Sequence, residues 1–160
     1  MSQQNSATYL MSFESAIGCE LLVETAEGIP APKEIEGKGT IIRRALRVGL
    51  YNETECNLIF NCAMITAEKK ADNASSWSFS SAENPVLFRS TAVDNLTANI
   101  KNYKFIFELV VFVKHENKNK EIETRQYSCG WAEAPLEFAT RSALQKLDLQ
   151  GGSPFTKLGI

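Results

Sequence analysis

The chain is short of the residues that most site chemistry needs. It holds one histidine, His115, and only three aspartates, Asp72, Asp94 and Asp148, each standing alone. A thiol or hydroxyl nucleophile wants a base beside it, normally histidine, together with donors for an oxyanion. A calcium site wants several converging oxygens, usually from closely spaced aspartates. Neither pattern can be drawn from this sequence, so no metal and no cofactor is expected. None of the cysteines, Cys19, Cys56, Cys62 and Cys129, stands in a CxxC pair, which leaves zinc and redox motifs without support. Long apolar runs are missing too. The best of them, FIFELVVFV at 105–113, is interrupted by Glu108 and is far short of the ~20 residues of a membrane span. The opening MSQQNSATYLMSFES has no basic stretch followed by an apolar one, and so does not read as a signal peptide; neither end carries a lipidation signal. Charge of one sign is absent as well: Lys and Arg number 17 against 19 Asp and Glu, which argues against a dedicated nucleic-acid binder.

What remains is the composition of one ordinary globular domain, 44% hydrophobic and 22% charged, long enough to bury a core without staples. With no signal peptide, the cysteines are expected to be buried thiols in a reducing cytoplasm. The sequons at Asn52, Asn73 and Asn95 point the other way, to a glycosylated chain cross-linked through its cysteines.

The patterning is of period two. An opening strand is expected around 19–24, and GIPAPKEIEGKG at 28–39 reads as a connection. In TIIRRALRVGLYN, Ile42, Leu46, Val48 and Leu50 share one face while Arg43 and Arg47 share the other; Arg44 breaks the apolar face and predicts a late start or a bulge there. NLIFNCAMIT at 57–66 puts Leu58, Phe60, Cys62 and Met64 together. Trp77 and Phe79 fall on one side of a short strand, and NPVLF reads as a strand start or edge. Residues 89–102 are the least legible, a loop with one helical turn. KFIFELVVFVK at 104–114 is apolar on both faces, the mark of a central strand covered on both sides. The charged HENKNKEIET leads to its partner, RQYSCGWAEAPL, and ALQKLDLQGG predicts a last short strand closed by a turn at Gly151-Gly152, with no helix to follow. Short alternating strands without an amphipathic helix predict an all-β antiparallel β-sandwich.

Three kinds of candidate residue stand out. Cys129 shares an inward rhythm with Tyr127 and Trp131, and His115 falls near Arg125 across the hairpin, too far along to share a proton. Cys129 is therefore expected to be structural core, together with Cys62, Trp77 and Trp131. Loop carboxylates read as solvated charge. Basic residues are the more interesting set: Arg43 and Arg47 on one outer face, and Lys114, Lys118, Lys120 and Arg125, with His115, around one loop, could together form a patch for anionic lipid or an acidic partner.

The last third of the chain resembles the nephrocystin-1 family. The matching residues are Glu108-Leu109-Val110-Val111, Ser128-Cys129-Gly130-Trp131, Leu136, Leu147, Gly151-Gly152-Ser153-Pro154-Phe155 and Gly159-Ile160. The resemblance is strongest over 107–160. Residues 67–102 do not share it, and Ala134-Pro135 departs from its larger apolar residues. It implies a C2-like, calcium-independent domain, excised from a larger non-enzymatic scaffold of the ciliary transition zone. It also implies nephrocystin-4-like partners and a cytoskeleton-associated place at the cilium base. The alternative is a secreted or cell-surface glycosylated β-sandwich that serves adhesion or binding. A hydrolase ranks third.

Overall fold

The computed structural model describes residues 6–10, 16–21, 23–32, 39–58, 63–68, 75–79, 86–90, 100–137 and 146–158. These are mostly β-strand, and every strand pairing among them is antiparallel. A three-stranded sheet joins β1 (Ser6–Leu10), β2 (Ala16–Leu21) and β8 (Val86–Ser90) in the order β1-β2-β8. A two-stranded piece pairs β3 (Thr25–Glu27) with β7 (Ser76–Ser78). The main sheet runs β10 (Ile122–Pro135), β9 (Tyr103–Glu116), β4 (Thr40–Asn52), with β5 (Asn57–Leu58) and β6 (Ala63–Thr66) following one another along the far edge of β4.

β9 is the axis of this sheet, which is why its sequence is apolar on both faces. On the inner face Phe105, Leu109, Val111 and Val113 meet Leu46, Val48 and Leu50 of β4, and Ile29, Trp77 and Phe79 close over them from the β3–β7 side. Each of these large side chains contributes about 1.5–3 kcal/mol on leaving water. Trp77, Cys129 and Trp131 are all buried; Cys62 lies outside the described residues.

Two strands carry an extra residue. In β4 the register slips between Ile41 and Arg43, so that Ile41 packs on the core and Ile42 is 47% exposed. The bulge expected at Arg44 thus falls two residues earlier, and it is what keeps Arg43 on the outer face opposite Phe112. In β10 the slip falls between Ser128 and Gly130, leaving Cys129 as the added residue. A different correction applies to β6. Ile65, opposite Leu46, is buried, whereas Met64 lies opposite Arg47 and is 38% exposed. The pairing partner, not the local alternation, decides which face each residue takes.

The hairpin between β9 and β10 turns on Asn117. Its backbone N–H donates to Glu121 O, its C=O accepts from Lys120 N, and its side-chain oxygen accepts from the amides of Asn119 and Glu121. Lys120 takes a left-handed conformation, φ 61°, the position that glycine usually fills in such a three-residue loop.

Past β10 the reading of the C-terminus needs correction. No strand forms at 146–149; Gln150 alone bridges to Trp131. A short helix, α1 (Pro154–Leu158), then follows the glycine pair. Its start is conventional: Ser153 Oγ accepts from the Phe155 amide at 3.3 Å, and Pro154 occupies the first helical position, where its missing N–H costs nothing.

Candidate functional site

The outer face of the main sheet carries most of the unusual chemistry. Residues directly opposite one another in a ladder share a face, so the register alone places Lys114, Phe112, Val110, Glu108, Ile106 and Lys104 of β9 there, flanked by Arg43, Arg47 and Tyr51 of β4 and by Gln126, Ser128 and Trp131 of β10.

Glu108 is the least expected member. A carboxylate at 4% exposure requires a partner, and Arg47, directly opposite on β4, provides one: Nη1 donates to Oε2 at 3.0 Å. The other guanidinium nitrogen donates to Gln126 Oε1 at 2.6 Å, so Arg47 reaches across β9 to β10. Its guanidinium also lies 5.9 Å from the Phe155 ring centroid, over α1. Arg43 donates through Nε to Thr66 Oγ1 at 2.9 Å and stacks on Phe112 at 5.1 Å.

At the other end of the face Lys104 bridges Glu53 and Glu133, at 2.8 and 2.9 Å, beneath the Tyr51 ring. Desolvation alone would pull this ammonium's pKa down, but its hydrogen bonds and charge attraction to Glu133 and Glu53 outweigh that, and the pKa is raised. Tyr51 is raised as well, chiefly by burial and then by its hydrogen bond with Cys56. The protonated phenol donates to Leu158 O at 3.4 Å.

The C-terminal segment is fastened along this face and the β10 edge. Trp131 N donates to Gln150 O at 2.9 Å and Gln150 N to Trp131 O at 2.7 Å; Ser128 Oγ donates to Gly152 O at 3.0 Å; Leu158 packs on Tyr51, Ile106 and Trp131. Gly130 has φ 138°, and a Cβ there would sit 3.0 Å from Gln150 O and 3.0 Å from Leu149 Cγ. The Ser-Cys-Gly-Trp and Gly-Gly-Ser-Pro-Phe stretches are therefore in contact. Trp131 Nε1 is buried beneath them without a hydrogen-bond acceptor.

The six basic candidates do not form one patch. Arg43, Arg47 and Lys114 share the outer face, but both arginines are engaged by their neighbours. Lys118 and Lys120 project from the hairpin turn, and Lys114, Lys118 and Lys120 are exposed. Arg125 lies opposite Val113, on the opposite side of the ladder, and pairs with Glu123 at 2.9 Å. His115 is opposite Glu123, two residues from the expected Arg125, and its Nε2 shares a hydrogen bond with Tyr127 Oη at 3.0 Å. Cys129 is six residues farther along β10 from Glu123, about 20 Å at ~3.4 Å per residue, and its sulfur is in no disulfide. Among the described residues no three His, Cys, Asp or Glu gather as a metal site, and no helix is long and apolar enough to cross a membrane. Of the sequons, Asn52 is 7% exposed and its side-chain oxygen caps the Glu53–Cys56 turn, accepting from the amides of Thr54 and Glu55. Asn73 and Asn95 lie outside the described residues.

Sequence reasoning missed the Arg47–Glu108–Gln126 chain and the Lys104 clasp because both join residues that only the register brings together. The helix start at Ser153-Pro154 was legible in principle, since a hydroxyl before a proline is a capping signal. Compared with protein-family models, curated proteins and solved structures, the chain matches none.

Proposed function

We propose that this chain is a non-enzymatic interaction module, a C2-like β-sandwich of a nephrocystin-1-type scaffold at the ciliary transition zone, working without calcium. The observation that carries the reading is the contact between the two stretches on which the family resemblance rests. Gly130 leaves room for Gln150, Ser128 holds Gly152, and Trp131 pairs with Gln150. Two motifs that build one structural unit have a physical reason to occur together at fixed spacing. Packing of Ile29, Trp77 and Phe79 over the main sheet supports a two-layer arrangement.

Partner proteins of the nephrocystin-4 type would meet surfaces and sheet edges rather than a pocket. Anionic headgroups would meet Lys114, Lys118 and Lys120 at the β9–β10 hairpin, since Arg43 and Arg47 are committed within the sheet. The secreted, glycosylated reading draws less support, because the Asn52 amide is buried and holds a turn.

The test is expression of the tagged chain in ciliated cells. Enrichment at the cilium base with co-purification of a nephrocystin-4-like protein is expected; diffuse staining and no co-purification would sink the proposal. Sedimentation with anionic vesicles, without calcium, is expected to fall in a Lys114→Glu/Lys118→Glu/Lys120→Glu variant and to persist in Arg43→Gln.

A further inference from the structure

The hairpin half of β10 is an open sheet edge. Residues Ile122 to Gln126 are all exposed, Ile122 at 64%, and among the described residues this stretch pairs with β9 alone. Open edges of this kind are normally blunted by charged side chains, lysine above all, by proline or by a bulge. This one reads Ile-Glu-Thr-Arg-Gln-Tyr up to its bulge, with no lysine or proline, and its two charges, Glu123 and Arg125, are of opposite sign.

Beyond the bulge, Trp131 turns both its N–H and its C=O outward to Gln150. The added residue at Cys129 inverts the alternation, so on the hairpin side the outward set is Ile122, Thr124 and Gln126. A second antiparallel strand would hydrogen-bond to those three, and its side chains would come closest opposite Glu123 and Arg125, the pairs between the hydrogen-bonded ones.

From this we infer that the β10 edge pairs with the same edge of a second copy of this chain, antiparallel about a two-fold axis at Thr124. In that register Thr124 meets Thr124, Ile122 meets Gln126, and Glu123 meets Arg125 twice by symmetry. Opposite charges and a threonine pair are favourable cross-strand combinations. Moving the axis one residue either way puts Glu123 opposite Glu123 or Arg125 opposite Arg125, so the sequence both favours this register and rejects its neighbours. The edge is self-complementary, as a two-fold interface must be. The intrastrand Glu123–Arg125 pair, each side chain about half exposed at 50% and 56%, exchanges within the chain for between chains without either group losing a counter-charge. The main sheets of two copies would then run on as one.

A contact of a few strand residues belongs to the smallest interface class, below ~1,200 Å². Sedimentation velocity of the whole chain, over loadings from roughly 10 µM to roughly 1 mM, where an association worth about −4 to −7 kcal/mol shows itself, tests the pairing. Wild type is expected to dimerise reversibly. Arg125→Glu and Glu123→Arg are each expected to weaken dimerisation at least about tenfold, and the exchanged double variant Glu123→Arg/Arg125→Glu to restore it. Thr124→Pro removes an outward N–H without touching the β9 ladder and should give a folded monomer. Circular dichroism on every variant separates loss of pairing from loss of fold. A wild type that stays monomeric throughout, or a dimer that ignores the single charge changes, or singles that weaken it with no recovery in the exchanged variant, would each overturn the inference.

Discussion

Gly130, Gly151 and Gly152 form a series that separates backbone strain from steric exclusion. At Gly151 a Cβ meets nothing within 4 Å and the backbone is not left-handed, so Gly151→Ala should change stability by less than about 0.5 kcal/mol. At Gly152 space is equally open but φ is 83°. Alanine there bears the left-handed penalty of about 1–2 kcal/mol, partly offset by its smaller loss of unfolded-state freedom, leaving about 0.5–1 kcal/mol of destabilisation. Gly130 combines both effects. Its φ of 138° lies where only glycine is at ease, worth about 1–3 kcal/mol. Its Cβ also meets the Gln150 carbonyl oxygen at 3.0 Å, and a backbone atom cannot swing aside as a side-chain end can. If Gln150 moves away, the two bonds to Trp131 weaken, each worth about 0.5–1.5 kcal/mol net. Gly130→Ala should therefore cost about 2–5 kcal/mol, a fall in Tm of roughly 5–15 °C for a domain of this size. Urea denaturation gives the free energies, and hydrogen exchange at the Trp131 and Gln150 amides shows whether the C-terminal segment has lifted. A Gly130→Ala protein within 1 kcal/mol of wild type, with both amides still protected, would refute the account of that junction.

Further outcomes follow from the outer face and the hairpin. Arg47→Leu leaves the buried Glu108 carboxylate without its counter-charge and should cost about 2–4 kcal/mol, whereas Arg47→Leu/Glu108→Leu should recover most of that, as read by a denaturant double-mutant cycle. Lys120→Gly relieves a left-handed side-chain-bearing residue and should stabilise by about 0.5–1 kcal/mol in thermal unfolding, while Lys118→Gly should not. Lys104 and Tyr51 both have folded pKa values raised above their unfolded ones. The stability each contributes is complete below its unfolded pKa and is lost as pH rises through the folded value. Unfolding free energy should decline above about pH 10, and the decline should be shallower in Tyr51→Phe and in Lys104→Met.

Much of the strand content is local information. The alternation in 40–52, 104–114 and 125–136 is visible from the residues because a strand's two faces repeat every second position. The same alternation could not say that Met64 lies outside and Ile65 inside, or that Ile42 is pushed out by a bulge, since a slip of one residue reverses every face and depends on a partner far along the chain. Glu108 shows the limit most clearly. Within the sequence it only interrupts an apolar run; in the sheet it is the buried counter-charge of Arg47, 61 residues away.

The basic candidates divide in the same way. Their clustering in sequence around 114–125 reflects one hairpin, but a hairpin has two faces and a tip, and these residues are spread over all three. Cys129 was readable as an inward position from its rhythm with Tyr127, but the same rhythm puts Trp131 on that face too, and the extra residue at Cys129 turns Trp131 to the outer face, where it is buried with Tyr51 and Ile106. That Gly130 must be glycine was not readable, because the reason is a carbonyl from Gln150, a contact that exists only once the C-terminal segment has folded back on β10. Local alternation specifies strands and a core; long-range pairing assigns each residue its face, its counter-charge and its neighbour.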